Sequence, residues 1–258
     1  MKLREILIPS KGTKVILVIT TSVLILTLVF AFFYYRRINN SADPRIRKAH
    51  ELLIKYDKTS GNINRIDLFP LLDSANSIFK SYPDYETSFE AGVILNNKCS
   101  ALLLQALYDS TINDSEKWNL LELSMNYCDS SIIVYQNWIA EWGELSSEKI
   151  ADKIRFYMNE KDPEFKDADF RLIFSGRVKN IATAQIETPR RLSVSLSNKG
   201  TIYRHMMKPD SALYYYQSAL SLWKDNRTAK SNMSVLMGGK PIKPTIIESL
   251  FPPDKNKK

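Results

Sequence analysis

The stretch NKGTIYRHMMKPDSALYYYQSALSLW, Asn198 to Trp223, determines how the rest of this sequence is interpreted. Small residues and tyrosines recur in it at the spacing of two consecutive helices. A small residue lets two helix backbones approach each other, and a tyrosine fills the space beside the contact. The pattern therefore predicts a packed helix pair, and the residues that form its contact are Gly200, Tyr203, Ala212, Tyr216 and Ala219.

That spacing resembles the tetratricopeptide repeat (TPR), a helix–turn–helix unit of about 34 residues. The segment YYQSAL, Tyr215 to Leu220, is also similar to the usual second helix of the family. The chain departs from the family pattern at three positions. Leu196 replaces the usual Trp, Lys199 replaces the usual Leu, and Lys224 stands where Pro normally ends the repeat. The resemblance implies an array of antiparallel helix pairs.

Two further segments resemble this stretch. The sequence LNNKCSALL, Leu95 to Leu103, aligns with LSNKGTIYR, Leu196 to Arg204. The sequence YCDSSIIVY, Tyr127 to Tyr135, aligns with YYQSALSLW, Tyr215 to Trp223. A fainter copy covers Arg45 to Pro83, where LLDSANSIF is similar to the second helix of the pair. The resemblance therefore covers three segments of the chain.

Helical periodicity continues through most of the remaining sequence, and no alternating strand pattern extends beyond a few residues. Polar caps or prolines predict helix starts at these places: Asp43-Pro44, Asp114-Ser115-Glu116, Ser146-Ser147-Glu148, Asp162-Pro163 and Thr188-Pro189. Residues 140–187 have the helical pattern but match no repeat. The predicted fold is all-α, with a TPR-like domain over residues 45–237, and a generic helical bundle is the alternative.

The N-terminal region contains an uncharged apolar run, Val15 to Tyr35. A helix of about 21 residues is roughly 32 Å long, which matches the hydrocarbon core of a bilayer. Arg36 and Arg37 follow the run, and no small-residue cleavage site does. The sequence predicts a single transmembrane helix that contacts the lipid bilayer, and a cleaved signal peptide or a buried core helix is the alternative.

These features divide the chain into a basic tail (1–14), the transmembrane helix (15–35), a linker (36–44), the helical domain and a C-terminal tail (238–258). In the last of these, residues 244–251 are predicted to form a capping helix. We expect a single-pass protein of the bacterial cytoplasmic membrane. Lys2 and Arg4, among other basic residues before the apolar run, favour a soluble domain outside the cytoplasm, although Arg36 and Arg37 favour the opposite orientation.

The two cysteines are Cys99 and Cys128, which the repeat alignment places on the two helices of one unit. The sequence is consistent both with two buried free thiols and with a disulfide. A disulfide requires that the domain faces an oxidising compartment.

Composition and motifs exclude several function classes. Five of the eight net positive charges lie in residues 1–37, so the remaining chain lacks the basic stripe of a nucleic-acid-binding protein. No metal-ligand spacing, catalytic motif or nucleotide-binding loop is present, and GGK at Gly238 to Lys240 is too short for a P-loop. We therefore predict no enzymatic activity, no metal, no cofactor and no nucleic-acid partner.

TPR arrays bind peptides or protein segments on the inner face of their first helices. By this resemblance, the partner-binding residues are Asn97, Ser100, Asn198, Thr201, Arg204 and His205. Asparagine amides can hold an extended peptide backbone, and an arginine can bind a carboxylate. The predicted function is a membrane-anchored adaptor or scaffold that binds a protein or peptide segment. The alternative is a structural accessory subunit of a multi-protein membrane complex, with no free peptide groove.

Overall fold

The computed structural model describes residues 11–61, 64–166 and 168–243, and every regular element in these ranges is helical. The ten α-helices are α1 (Lys11–Asn40), α2 (Arg47–Thr59), α3 (Phe69–Lys80), α4 (Pro83–Glu86), α5 (Phe89–Tyr108), α6 (Asp114–Trp142), α7 (Ser147–Tyr157), α8 (Phe170–His205), α9 (Pro209–Leu222) and α10 (Arg227–Leu236). Single 3-10 turns cover Pro44–Ile46, Arg65–Leu68 and Pro163–Phe165. The all-α prediction is confirmed for the described residues. The capping helix predicted over residues 244–251 lies outside them.

The first helix is the apolar one. Within Lys11–Arg36, a stretch of 18 residues has a mean hydropathy of 2.8, and none of that stretch is buried against the rest of the protein. By length and composition this helix can cross a membrane. It continues to Asn40, so the first half of the predicted linker is helical.

Local capping explains several helix starts. Asn113 and Glu116 form a reciprocal capping box that begins α6, because the side chain of each accepts a hydrogen bond from the backbone N–H of the other. Ser146 caps α7, and Asp43 caps the turn that leads into α2. These starts lie at or next to the places that the sequence predicts.

The helix start predicted at Thr188-Pro189 is wrong. The helix α8 runs from Phe170 to His205 without interruption, with Pro189 inside it. Its first half packs against α6 and α7, and its second half packs against α9. These contacts on both sides offset the hydrogen bond that Pro189 cannot donate. The start predicted at Asp162-Pro163 is only a 3-10 turn.

The residues that the sequence predicts to form the contact within Asn198 to Trp223 lie where α8 packs against α9. A Cβ added at Gly200 would be 2.8 Å from ring carbons of Tyr216 and 3.1 Å from the carbonyl oxygen of Ala212. Ala212, Tyr216 and Ala219 are fully buried. Tyr203 is half-buried and stacks on Tyr215, with ring centroids 5.4 Å apart. Gly200 thus provides the space that the ring of Tyr216 occupies.

One contact occurs twice, at positions that the internal alignment makes equivalent. Lys98 forms an ion pair with Asp73 of α3, and its ammonium lies 5.3 Å from the ring centroid of Tyr127. Lys199 forms an ion pair with Asp129 of α6, and its ammonium lies 4.6 Å from the ring centroid of Tyr215. In both cases the lysine contacts an aspartate on an earlier helix and a tyrosine on the next helix of the chain. We call these two contacts the lysine links.

The cysteines form a disulfide in this structure. Cys99 of α5 and Cys128 of α6 are bonded, and their Cα atoms are 5.3 Å apart. Both side chains are fully buried, beside Leu103, Leu121 and Ile202. The bond fastens α5 to α6 at the centre of their contact.

The contact at Gly200 predicts the effect of enlarging its partner. Ala212→Leu should lower the free energy of unfolding by about 1–3 kcal/mol, because the added carbons overpack a fully buried site. Thermal and urea unfolding of the full-length protein in detergent measures this change.

The matched control is Gln217→Leu, which adds an apolar side chain at an exposed position of the same helix. Equal stability of the two variants would contradict the tight contact.

Candidate partner-binding site

The structure places the six predicted binding residues on two helices. Asn97 and Ser100 lie on α5, and both are half-buried. The other four, Asn198, Thr201, Arg204 and His205, lie on the last part of α8. The helices α5 and α8 contact each other, so the two groups belong to one face.

Part of this face is occupied by hydrogen bonds within the domain. The side-chain amide of Asn198 donates to Oγ of Ser100 at 3.0 Å and to Oδ1 of Asn96 at 3.1 Å. The hydroxyl of Ser195 donates to the same Oδ1 atom of Asn96 at 2.9 Å. The structure therefore brings Ser100 and Asn198 together, and both use polar atoms to join α5 to α8.

Thr201 is turned into the domain. Its side chain is buried, and its hydroxyl donates to the carbonyl oxygen of Ser197 at 3.0 Å. The hydroxyl oxygen of Thr201 itself accepts hydrogen bonds from the hydroxyl of Tyr216 at 3.2 Å and from the amide of Asn232 at 3.0 Å. With these three bonds the hydrogen-bonding capacity of the hydroxyl is used.

The end of α8 differs, because cations gather there without carboxylates. Arg204 and His205 are half-buried, and their Nη2 and Nε2 atoms are 3.2 Å apart. Burial lowers the pKa of His205, and the charges of Arg204 and Lys117 lower it further. Among the described residues, no carboxylate oxygen lies within 4.0 Å of a charged nitrogen of Arg204 or Lys117. We call Lys117, Arg204 and His205 the Arg204 patch.

The chemistry of the Arg204 patch suits an anion. A neutral His205 accepts from the guanidinium of Arg204, and the remaining N–H groups of that guanidinium can bind a carboxylate. A carboxylate bound there would also be attracted by Lys117 and would favour protonation of His205.

A second polar cluster, which the sequence did not indicate, lies next to the end of α1. We call it the Arg45 cluster, and its members are Asp43, Arg45, Asp84, Tyr85, Glu90 and Arg177. The guanidinium of Arg45 lies 2.8 Å from Oδ2 of Asp43 and 2.8 Å from Oδ2 of Asp84. The hydroxyl of Tyr85 donates to Asp43 at 3.1 Å. Two separate parts of the chain, residues 43–45 and residues 84–85, thus meet at one buried cation.

Aromatic rings complete the surroundings of the two arginines. The guanidinium of Arg45 lies 5.1 Å from the ring centroids of both Tyr82 and Phe165. The guanidinium of Arg177 lies 3.9 Å from the ring centroid of Tyr85 and donates to the backbone carbonyl of Asp84 at 3.1 Å. Cations on ring faces are stabilised more strongly when they are removed from water.

Burial and charge act in opposite directions in this cluster. Burial opposes the charge of Arg45, but the hydrogen bonds that Arg45 donates to Asp43 and the charges of Asp43 and Asp84 outweigh it and raise the pKa of Arg45. Burial raises the pKa of Asp84, although the charges of Arg45 and Arg177 act to lower it. The arginine therefore stays charged, and it depends on both carboxyl groups.

A small cavity adjoins the cluster. Its volume is about 20 Å³, and its lining includes Asp84, Ser88, Arg177, Trp138 and Trp142. Oδ1 of Asp84 and Oγ of Ser88 have no hydrogen-bond partner among the described residues. A volume of this order holds about one water molecule, which could bridge the two oxygens. The described residues contain no group of three or more His, Cys, Asp or Glu placed to hold a metal ion.

Comparison of this chain with protein-family models, with curated proteins and with solved structures gives no match. The site is therefore interpreted from its own geometry.

Little in the sequence indicated that Asn96, Arg45 and Asp84 belong to these polar clusters. Asn96 stands next to Asn97 in the aligned segment, but its contact with Ser195 spans 99 residues. Arg45 and Asp84 are 39 residues apart, and no local pattern pairs them. An arginine that directly follows Asp-Pro suggests a capped turn and not a buried cation.

Replacement of Arg45 tests the Arg45 cluster. Arg45→Met keeps an unbranched apolar stem without the charge and should lower the free energy of unfolding by about 3–5 kcal/mol, because it leaves buried carboxylates without their cation. Arg155→Met is the matched control, since Arg155 and its partner Asp152 are both exposed, and such a pair contributes about 0–1 kcal/mol.

Urea unfolding of the full-length protein in detergent gives both values. Similar stabilities of the two variants would show that Arg45 does not hold the cluster together.

Proposed function

We propose that this protein is a membrane-anchored adaptor whose TPR-like helical domain binds a protein or peptide segment. The observation that carries this proposal is the Arg204 patch. Its arginine and its lysine lack carboxylate partners within the described part of the chain, on a domain that follows an apolar helix of membrane-spanning length. Buried or half-buried cations are normally paired, so unpaired ones at the end of a helix favour an external anion.

The internal repetition supports the TPR-like interpretation. The two lysine links connect successive units in the same way, and small residues occupy equivalent positions in the second helices. Ala75, Ser131 and Ala219 are all fully buried. These similarities favour antiparallel helix pairs stacked into an array, because each unit of such an array contacts only its neighbours.

The helix α1 and the disulfide support a proposal for the location. We propose a single-pass protein of the bacterial cytoplasmic membrane, with the helical domain outside the cytoplasm. The bond between Cys99 and Cys128 favours this side, because disulfides persist in oxidising compartments.

The alternative function is a structural accessory subunit of a larger membrane complex. The hydrogen bonds of Asn198 with Ser100 and Asn96 favour it, since they occupy part of the face that a peptide would need. In that case α1 and the outer surfaces would hold the complex together, and the Arg204 patch would have no partner.

Reversal of the charges in the Arg204 patch separates the two functions. The double variant Lys117→Glu/Arg204→Glu should lose capture of its partner from detergent-solubilised membranes by about tenfold or more, because a charge-assisted hydrogen bond contributes about 1.5–3 kcal/mol. Lys55→Glu/Lys179→Glu is the matched control, since both lysines are exposed, Lys55 on α2 and Lys179 on α8 about seven turns before Arg204.

Capture is measured by quantitative mass spectrometry of the purified complexes. A partner that is retained equally by wild type and both double variants would contradict the adaptor. If that partner is lost when α1 is replaced by an unrelated transmembrane helix, the accessory subunit is supported instead.

A further inference from the structure

We propose that the end of α7 and the start of α8 form a second membrane contact, in which Phe156 inserts among the lipid headgroups beside α1. This inference rests on the part of the proposed function in which α1 crosses the bilayer. It adds a partner surface, the lipid itself, for a part of the helical domain that the adaptor function does not use.

The position of α8 next to the end of α1 is the first support. A Cβ added at Gly176 would be 2.6 Å from the carbonyl oxygen of Ser41, which directly follows α1. The 3-10 turn Pro163–Phe165 contacts the turn Pro44–Ile46, and the ring of Phe165 lies 5.1 Å from the guanidinium of Arg45. The segment from α7 to α8 therefore surrounds the point where the chain leaves α1.

The rise of a helix per residue gives the distance of this segment from the apolar core of the bilayer. Arg36 marks the polar end of the apolar run, and Ser41 follows it by about 7.5 Å along a helix axis. The headgroup layer on one side of a bilayer is about 5–8 Å thick. Gly176 consequently lies close to the outer edge of that layer, and the residues around the start of α8 are within reach of the headgroups.

A position near the headgroups accounts for the exposure of the apolar side chain of Phe156. It is 88% exposed, more than any other large apolar side chain of the described residues, including those of α1. The adjacent Arg155 packs on the first turns of α8, with its guanidinium 5.6 Å from the ring centroid of Phe174, so the end of α7 that carries Phe156 lies beside the start of α8. The neighbouring Tyr157 contacts Phe156 edge to face, with ring centroids 5.5 Å apart. Aromatic side chains are enriched at this depth of a membrane.

The charges of the segment show which force is available. Lys161, Lys166 and Arg171 are exposed and can reach lipid phosphates. Glu160, Glu164 and Asp169 are exposed on the same segment and offset them. Apolar insertion, and not attraction to anionic lipid, is therefore the expected attachment, so vesicles of neutral phosphatidylcholine should suffice.

Three variants of the full-length protein, each with one added cysteine, test the proposal. The native cysteines stay in place, because they are bonded to each other and do not take the label. Each variant carries a nitroxide label, at Phe156→Cys, at Val23→Cys in the middle of α1, or at Tyr108→Cys at the end of α5. Tyr108 is the matched control, since it is an aromatic side chain that is 78% exposed. Collision of the label with oxygen, which enters lipid, is compared with collision with a water-soluble nickel complex.

The ratio of oxygen to nickel collisions should be highest at position 23, and at position 156 it should exceed that at position 108 by about threefold. A ratio at 156 equal to that at 108, with 23 in lipid, would overturn this inference and leave the anchor intact. A water-like ratio at 23 would overturn the anchor and the inference together. Spin–spin broadening at 156 would show that a second copy of the chain covers Phe156, which also overturns the lipid contact.

Discussion

The ion pairs of Arg45 are the constraint on which the arrangement of this protein depends. Arg45 follows the end of α1 by only five residues, and its guanidinium binds Asp43 on the connecting turn and Asp84 on the helical domain. All three side chains are almost completely buried. A buried ion pair contributes little net stability compared with apolar packing, but loss of one partner is strongly unfavourable. The cluster therefore selects one arrangement of the connecting turn and penalises others.

That arrangement sets what each end of the domain can contact. The helix α8 begins beside the end of α1, and Arg204 follows Gly176 on it by about 42 Å of helix. In the proposed membrane arrangement, one end of α8 lies near the membrane surface, where Phe156 is exposed, and the other end presents the Arg204 patch. If α1 crosses the bilayer, a fixed connection to α1 gives both surfaces a defined position relative to it, which a flexible linker would not.

The sequence predicted what depends on neighbouring residues and missed what depends on distant ones. The all-α fold and α1 followed from helical periodicity and from an uninterrupted apolar run, and Ser146 was identified as a cap. Pro189 was assigned to a helix start because local preference favours that position, whereas packing on both sides keeps it inside α8. The hydrogen bonds of Asn198 and the ion pair of Arg45 with Asp84 join residues 39 to 102 positions apart, and tertiary packing brings them together.

The most direct test of a fixed connection is the distance between α1 and the domain, measured between two spin labels by pulsed electron–electron double resonance. The labels are placed at Phe33→Cys on α1 and Lys179→Cys on α8, both exposed positions. This account predicts a single narrow distance distribution for the full-length protein in bilayers, and a broad one when Arg45 is replaced by methionine. A broad distribution in the protein with Arg45, or a narrow one that is unchanged in its absence, would contradict the claim that the Arg45 cluster holds the domain against the end of α1.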